Sequence, residues 1–441
     1  MLRSLREPPT LSAAWNEDYD QKAAEWFELF LDLMMVAVCS DIARKLQANL
    51  DGGGVAHFVV LFCLYFSTWQ LYTHYNSRFN ENSLLHYMLL FGLLCGFGGM
   101  VLSSEPGSVF ALGLLITRLA IAGMYINTFL LMPAARDYLT TEMAMIAVEI
   151  VALAACLVLP GLGLTPSYLV LLVVAVFVRP IVTLARSTTT DSTLRIAVNI
   201  DHYSERCGCM VLVVLGEAVL KSILNLEQSG KGATTQFYST MVLSLMVIFA
   251  LAIFYFGTQP PRSLHAMRRS VWAGLAYMYV HYVLLAALLG FGVGVTIVAN
   301  DVKEDVPVHD GAHVWLIFGS ISISMTGILC LRLLHFGGRS IKDTDPTIVK
   351  QLKVMWWSFT FASPLLSVVC ALVTLTVFPK RVNSIVLLAI AFGSLSLQLF
   401  GEAAVVHHLS VHGQEHVCSG TDECVPATSN EQSFLSRDST G

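Results

Sequence analysis

Apolar residues fill stretches of about 20 positions along nearly the whole chain, separated by short polar loops. At 1.5 Å of rise per residue each stretch makes a helix that spans a hydrocarbon core of about 30 Å. The pattern predicts about twelve such helices, in two sets of six. The first set runs from Trp26 to Leu46, Val55 to Tyr75, Leu84 to Ser103, Ser108 to Met132, Glu142 to Leu159 and Pro166 to Ala185. The second covers His202 to Leu224, Phe237 to Gly257, Val271 to Ala299, Ala312 to His335, Val354 to Phe378 and Val382 to His407. The first and seventh depart from the pattern because each carries several charges. The expected fold class is all-α, a polytopic transmembrane helix bundle.

Composition agrees with this reading: 55% of the residues are hydrophobic and only 13% charged, where a soluble domain carries about a quarter. The first 25 residues are polar and mixed in charge, unlike a cleavable signal peptide. The organisation expected is a polar cytoplasmic segment over 1–25, a membrane half over 26–186, a connecting loop over 187–201, a second half over 202–408 and a polar, disordered tail over 409–441. The ten cysteines form no regular extracellular framework. Cys39, Cys63, Cys95, Cys156 and Cys330 fall within spans and are expected as buried thiols. No long basic block points to nucleic acid, so the expected partners are the lipid bilayer and an unidentified small molecule or ion, with no cofactor.

Lysine and arginine gather on one set of alternate loops, at Arg3, Arg6, Lys22, Arg78, Arg136, Arg268 and Arg269 among others. The positive-inside rule then makes both termini cytoplasmic and the loop with Asp301, Glu304, Asp305 and Asp310 external. The third and ninth spans read as copies. Leu84 opens LLHYMLLFGLLCGFGG and Tyr279 opens YVHYVLLAALLGFGVG, so His86 answers His281 and a Gly-Phe-Gly follows in each. That implies a six-plus-six parallel repeat, an arrangement found in secondary transporters with a site between the halves. The alternative is two leucine-rich helices that use small residues for close packing.

Charges inside such helices are where chemistry is expected. A charged side chain at a helix centre costs about 2.5 to 3.5 kcal/mol on insertion scales, so it requires a partner or a hydrated cavity. Glu25, Glu28, Asp32 and Cys39 make one stripe on the first helix, and His202, Glu205, Arg206 and Glu217 share a face of the seventh. Arg118 on the fourth span, Glu149 on the fifth and Arg179 beside Pro180 on the sixth are further deep charges. Trp69, Tyr72 and Arg78 lie near the predicted cytoplasmic boundary, where an aromatic belt and a snorkelling arginine are expected. His408, His412 and His416 are spaced by four, but Gly413 and the polar tail argue against one continuous metal-binding face, and no metal is expected.

ELFLDL at Glu28 to Leu33, the Trp69, Tyr72 and Arg78 pattern, HYSERCG at His202 to Gly208 and VLGE at Val214 to Glu217 resemble the low-temperature-requirement A (LtrA) family of polytopic membrane proteins. The resemblance runs from about Trp26 to His407. It departs at Ser77, which interrupts the usual aromatic, Asn and Arg sequence, and at Asn80, where the family commonly carries an acidic residue. The resemblance implies a membrane protein linked to growth in the cold and supplies no substrate. Two functions follow from the residues: a secondary transporter, proton-coupled through Glu28, Asp32, Glu205 and Glu217 with Arg206 as their partner, or a non-transporting structural or stress-response protein whose ion pairs are static. A third class, an intramembrane hydrolase, lacks support, because the chain has no P-loop, no Gly-x-Ser-x-Gly elbow and no HExxH.

Overall fold

A computed structural model of the chain describes residues 4–5, 7–13, 22, 25–103, 106–190, 195–227, 235–260, 264–303, 308–309, 311–336, 341, 345–378, 382–412, 416–418 and 424–426. The long helices follow the apolar pattern closely. They are α1 Trp26–Ala48, α2 Gly52–Asn76, α3 Leu84–Leu102, α4 Ser108–Leu131, α5 Arg136–Val158 and α6 Thr165–Thr189. Then come α7 Ile200–Glu227, α8 Thr235–Phe256, α9 Val271–Lys303, α10 Gly311–Phe336, α11 Thr347–Val377 and α12 Ser384–His412. Ten of these, α2 to α6 and α8 to α12, are long and apolar enough to cross a membrane. The twelve expected spans are thus not all met among the described residues: α1 and α7 are long enough but fall outside that set.

Local sequence explains where the helices begin and bend. Asp51 caps α2 by accepting the Gly54 N–H at 2.6 Å, and Ser83 caps α3 by accepting the His86 N–H at 3.2 Å. In α6 the turn at Val174–Val178 is a π-helix, in which the Arg179 N–H reaches back to the Val174 carbonyl. Pro180 follows and has no N–H to give, so the wide turn absorbs its misfit and aims Arg179 inward. Two-residue antiparallel ribbons tie loops together: β1 Thr10–Leu11 pairs with β2 Phe79–Asn80, and β3 Val308–His309 with β4 Val382–Asn383.

The chain divides into two compact units, Met1–Glu217 and Ala218–Gly441. In the first, α3 packs on α4 and α4 on α5; in the second, α9, α10, α11 and α12 pack in succession and α8 lies on α12. Large apolar side chains such as Phe91, Leu102, Val151, Phe249, Leu365 and Phe400 point outward, while Arg118, Arg206, Glu149 and His281 are buried. That distribution suits hydrocarbon as the surrounding solvent.

One expectation changes and one, for the histidines after the last span, is met. Cys95 is exposed rather than buried, on the outer side of α3, although Cys39, Cys156 and Cys207 are enclosed. The helix α12 ends at His412, and His416 lies in the strand β5 His416–Cys418, opposite β6 Cys424–Pro426, with Cys418 facing Cys424 in register. The four-residue histidine spacing thus never forms one helical face. Glu304, Asp305 and Asp310 of the acidic loop, Arg3 and Arg6, and residues 427–441 of the tail lie outside the described residues.

One close helix contact, between α3 and α4, is glycine on glycine. A Cβ added at Gly96 would stand 2.8 Å from the Gly113 carbonyl oxygen, and one added at Gly113 would stand 2.7 Å from the Gly96 carbonyl oxygen. Only bare backbone allows α3 and α4 to touch there. Gly113→Ala should therefore cost about 1 to 3 kcal/mol through overpacking. Gly161→Ala, where a Cβ meets nothing within 4 Å, should leave the chain unaffected. Equal thermal stability of the two variants in detergent would refute the close-contact argument.

Candidate functional site

The stripes on α1 and α7 meet. Glu28 and Asp32 are one helical turn apart, as are His202 and Arg206, so the two pairs face each other as rungs of a ladder. His202 Nε2 stands 2.7 Å from Glu28 Oε2, while Arg206 donates from Nη1 to Asp32 Oδ2 at 2.5 Å and from Nη2 to Asp32 Oδ1 at 2.8 Å. The offset between partners is the same in both rungs, 174 residues, so α1 and α7 run parallel here. All four side chains are at most 4% exposed.

Asp32 is saturated. Its Oδ1 also accepts the Trp69 indole N–H at 2.8 Å, and the Arg206 guanidinium carbon sits 5.5 Å from the centre of that indole ring. A two-pronged ion pair, a charge-assisted hydrogen bond and a cation–π contact thus fix one arginine. This corrects the interfacial role expected for Trp69 and Tyr72. Both are enclosed, Trp69 because its N–H has a carboxylate to satisfy. Arg78 is likewise mostly buried; it bonds His74 at 3.1 Å and lies 5.1 Å from the Tyr138 ring centre.

Both ring nitrogens of His202 are hydrogen-bonded. Nδ1 stands 2.9 Å from the Ser77 hydroxyl, which is also 2.7 Å from the Thr73 carbonyl and can donate to either. On the other ring nitrogen, a carboxylate oxygen at 2.7 Å would face a lone pair unless a proton lies between them. The Glu28–His202 contact therefore holds one proton between imidazole and carboxylate. Asn199 steadies the start of α7 by accepting the His202 N–H at 3.1 Å, and its own N–H reaches the Ser77 carbonyl at 2.8 Å. Lys22, before α1, donates to the Asn76 carbonyl at 2.8 Å. Burial holds its ammonium below the ordinary lysine range, with Glu28 and Glu25 opposing that shift.

Other candidates fall elsewhere. Glu205 is exposed. Glu217 is buried three turns further along α7, near Cys39 of α1. Arg118 and Glu149 form a second network: Arg118 pairs with Glu149 and donates to Thr68 Oγ1 at 2.7 Å, while Arg179 pairs with Glu142 and approaches Glu149 at 3.6 Å. Two arginines and two glutamates alternate in that chain, and the seven-residue spacing of Glu142 and Glu149 on α5 is the sequence signal for it. His86 and His281 occupy different chemistry. His86 stacks near Tyr72 and Tyr75 and stands 3.6 Å from Glu81, whereas His281 contacts Tyr255 and Tyr277. No group of three His, Cys, Asp or Glu side chains with metal-binding geometry occurs among the described residues.

Three functional-looking groups escape the sequence reading. One is Lys22. Another is Glu81, one position beyond the place where the family carries its acid: it accepts from Tyr75 Oη at 2.5 Å, Asn127 Nδ2 at 2.6 Å and Ser83 Oγ at 3.0 Å. The third lies in the second unit, where Arg332 on α10 pairs with Glu402 on α12 at 2.7 Å and Trp356 on α11 donates to the same carboxylate at 3.1 Å.

Two outcomes follow from these contacts. Breaking the Asp32–Arg206 pair from one side strands a buried charge, so Arg206→Met should destabilise by about 3 to 5 kcal/mol, and Arg206→Met with Asp32→Asn should recover much of it. Thermal unfolding of both variants measures this, and additive losses would show that the pair is not coupled. At Glu81, burial raises the pKa but bonds from His86, Tyr75 and Ser83 outweigh it, so the carboxyl sits below its ordinary value of 4.5. A depressed folded pKa means that Glu81 stabilises fully above that ordinary value and loses its contribution as pH falls through the folded one. Glu81→Gln should accordingly flatten the acid limb of the stability profile below about pH 4.5. An unchanged acid limb would contradict the assignment.

No curated protein and no solved structure matches the chain. The family model for Bacterial low temperature requirement A protein (LtrA) does, over residues 23–395, which takes in α1 to α11, the Glu28, Asp32, His202 and Arg206 cluster and both arginine networks of the first unit. With its apolar outward faces and ten helices fit to cross a bilayer, the chain is an integral, multi-pass membrane protein that belongs to the LtrA family.

Proposed function

We propose that this protein is a secondary transporter driven by protons, with the Glu28–His202 contact as the proton site and Asp32–Arg206 as the adjoining charge pair. The shared proton between Glu28 and His202 carries the reading. A carboxylate and an imidazole 2.7 Å apart in a buried setting exchange one proton with little motion, and losing it leaves like lone pairs facing each other. The rung must then open, which couples protonation to the spacing of α1 and α7.

The parallel course of α1 and α7 supports a twelve-span topology, since six crossings return a chain to the side it left. Both termini are then cytoplasmic, in keeping with the lysine and arginine bias. The six-plus-six repeat draws support from local packing: Gly96 meets Thr117 on α4, and in the second unit its counterpart Gly290 meets Ser320 on α10. The different surroundings of His86 and His281 confine the proton role to the first unit. The reading includes no catalytic step, and its partners are the bilayer and one small solute. A static role belongs instead to Arg118, Glu149, Arg179 and Glu142, whose charges balance two against two.

Uptake into reconstituted vesicles across a metabolite panel, with and without an imposed pH gradient, tests the proposal. One proton per cycle sustains about tenfold accumulation per pH unit, the equivalent of about 1.4 kcal/mol. His202→Gln should abolish gradient-driven accumulation while the chain still folds. Uptake that ignores the gradient for every solute, or that survives His202→Gln unchanged, would sink the reading.

A further inference from the structure

The second unit repeats one chemical arrangement of the first, with a difference that gives it another use. In the first unit a carboxylate, an indole N–H and a guanidinium meet at Asp32, Trp69 and Arg206; in the second they meet at Glu402, Trp356 and Arg332, with the Arg332 carbon 5.6 Å from the Trp356 ring centre. The chain order of the three residue types differs, so the likeness is one of chemistry. Asp32 uses both oxygens on Arg206. Glu402 uses one: its Oε1 takes both Trp356 Nε1 and Arg332 Nη1, which also reaches Thr360 Oγ1 at 3.4 Å.

Among the described residues, Glu402 Oε2 and the Nε and Nη2 of Arg332 have no hydrogen-bond partner. Arg332 and Glu402 line a cavity of about 10 Å³ together with Phe254, Phe359, Ser363 and Gln398. That is room for one water centre. Ser363 and Gln398 bond to one another at 2.6 and 3.1 Å and so form a fixed polar wall. At Gly401 an added Cβ would stand 2.6 Å from the Phe359 ring, so glycine lets that ring close over the glutamate. Gln398 and Glu402 lie beyond the part of the chain that matches the family.

Donors converging on a single oxygen make an anion cradle, and here a side chain of the protein fills it. We propose that the second unit holds a proton-dependent site for a monovalent anion: ionised Glu402 occupies the cradle of Arg332 and Trp356, and a small anion such as a halide replaces its carboxylate once Glu402 takes a proton. Charge decides in favour of the paired event. The cluster is neutral with ionised Glu402, and neutral again with protonated Glu402 and a bound monovalent anion, whereas protonation alone would leave Arg332 buried and unpaired. The proton and the anion both come from the aqueous phase, and no bond other than O–H forms or breaks.

Other charges near Glu402 are already accounted for. From α10 it faces Arg332, with His335 one turn further on and packed against His265 and Tyr277. From α11 it faces Trp356 and Thr360, while Lys353 is held by Asp345 at 2.6 Å. The α8 residue at the cavity is Phe254, and α12 itself adds Gln398. The first unit offers no such vacancy, because Asp32 is gripped at both oxygens.

Iodide quenching of tryptophan emission, with the full chain in nanodiscs and gluconate as the balancing anion, reads the site. The wild type should show a saturable quenching component at acid pH and lose it at about pH 8. Glu402→Gln should show it at both pH values, and Arg332→Met at neither. If Arg332→Met does not fold, Arg332→Lys takes its place and should weaken the component severalfold. A component that is independent of pH in the wild type, absent from folded Glu402→Gln or intact in folded Arg332→Met would overturn the proposal, whereas a failure of proton-driven uptake leaves it standing.

Discussion

An arginine buried among apolar helices must bring its counter-charge with it, because water is not there to solvate it. Arg118, Arg179, Arg206 and Arg332 are all at most 9% exposed, and each lies against a carboxylate from another helix. Much of the helix order follows from that requirement. Glu142 and Glu149 bind α5 to α4 and α6, Asp32 binds α1 to α7, and Glu402 binds α12 to α10. Apolar contact alone gives little specificity among such helices, since a lipid tail is as good a neighbour as a leucine. The charges and the glycine contacts supply what it lacks.

The same ingredients give different behaviour according to how the lone pairs are filled. Asp32 receives donors on both oxygens and is locked; its pair with Arg206 resembles a rivet. Glu28, one turn away, meets a histidine instead of an arginine, and a histidine can give its proton up at physiological pH where an arginine cannot. The two rungs of one ladder are thus unlike in kind, one fixed and one able to change. Glu402 stands between these cases, paired with an arginine through a single oxygen beside a small cavity.

The helices were legible because lipid demands long uninterrupted apolar runs, and the observed ends fall within a few residues of those runs. Glu28, Asp32, His202 and Arg206 were legible too, since spacing by four puts charges on one face and a face of charges in a membrane has to point inward. Trp69 was not. An aromatic residue near a predicted boundary satisfies the interfacial rule as well as the buried one, and only the position of Asp32 separates them. Glu81 escaped because its importance comes from Tyr75, Asn127 and Ser83, contributed by a helix end, another helix and the loop itself. Arg332 and Glu402 each look like an isolated charge on an apolar helix, 70 residues apart, and nothing along the chain announces that they meet.

The Glu28–His202 rung differs from the ion pairs in needing a proton between its members, because without one a carboxylate and an imidazole lone pair would face each other 2.7 Å apart. Ser77 lies within reach of both His202 Nδ1 and the Thr73 carbonyl, so its hydroxyl serves either tautomer. Asn199 and Ser77 also tie the start of α7 to the end of α2 through backbone bonds. The segment before α7 and the end of α2 are thereby held beside the rung, one turn from the Asp32–Arg206 pair.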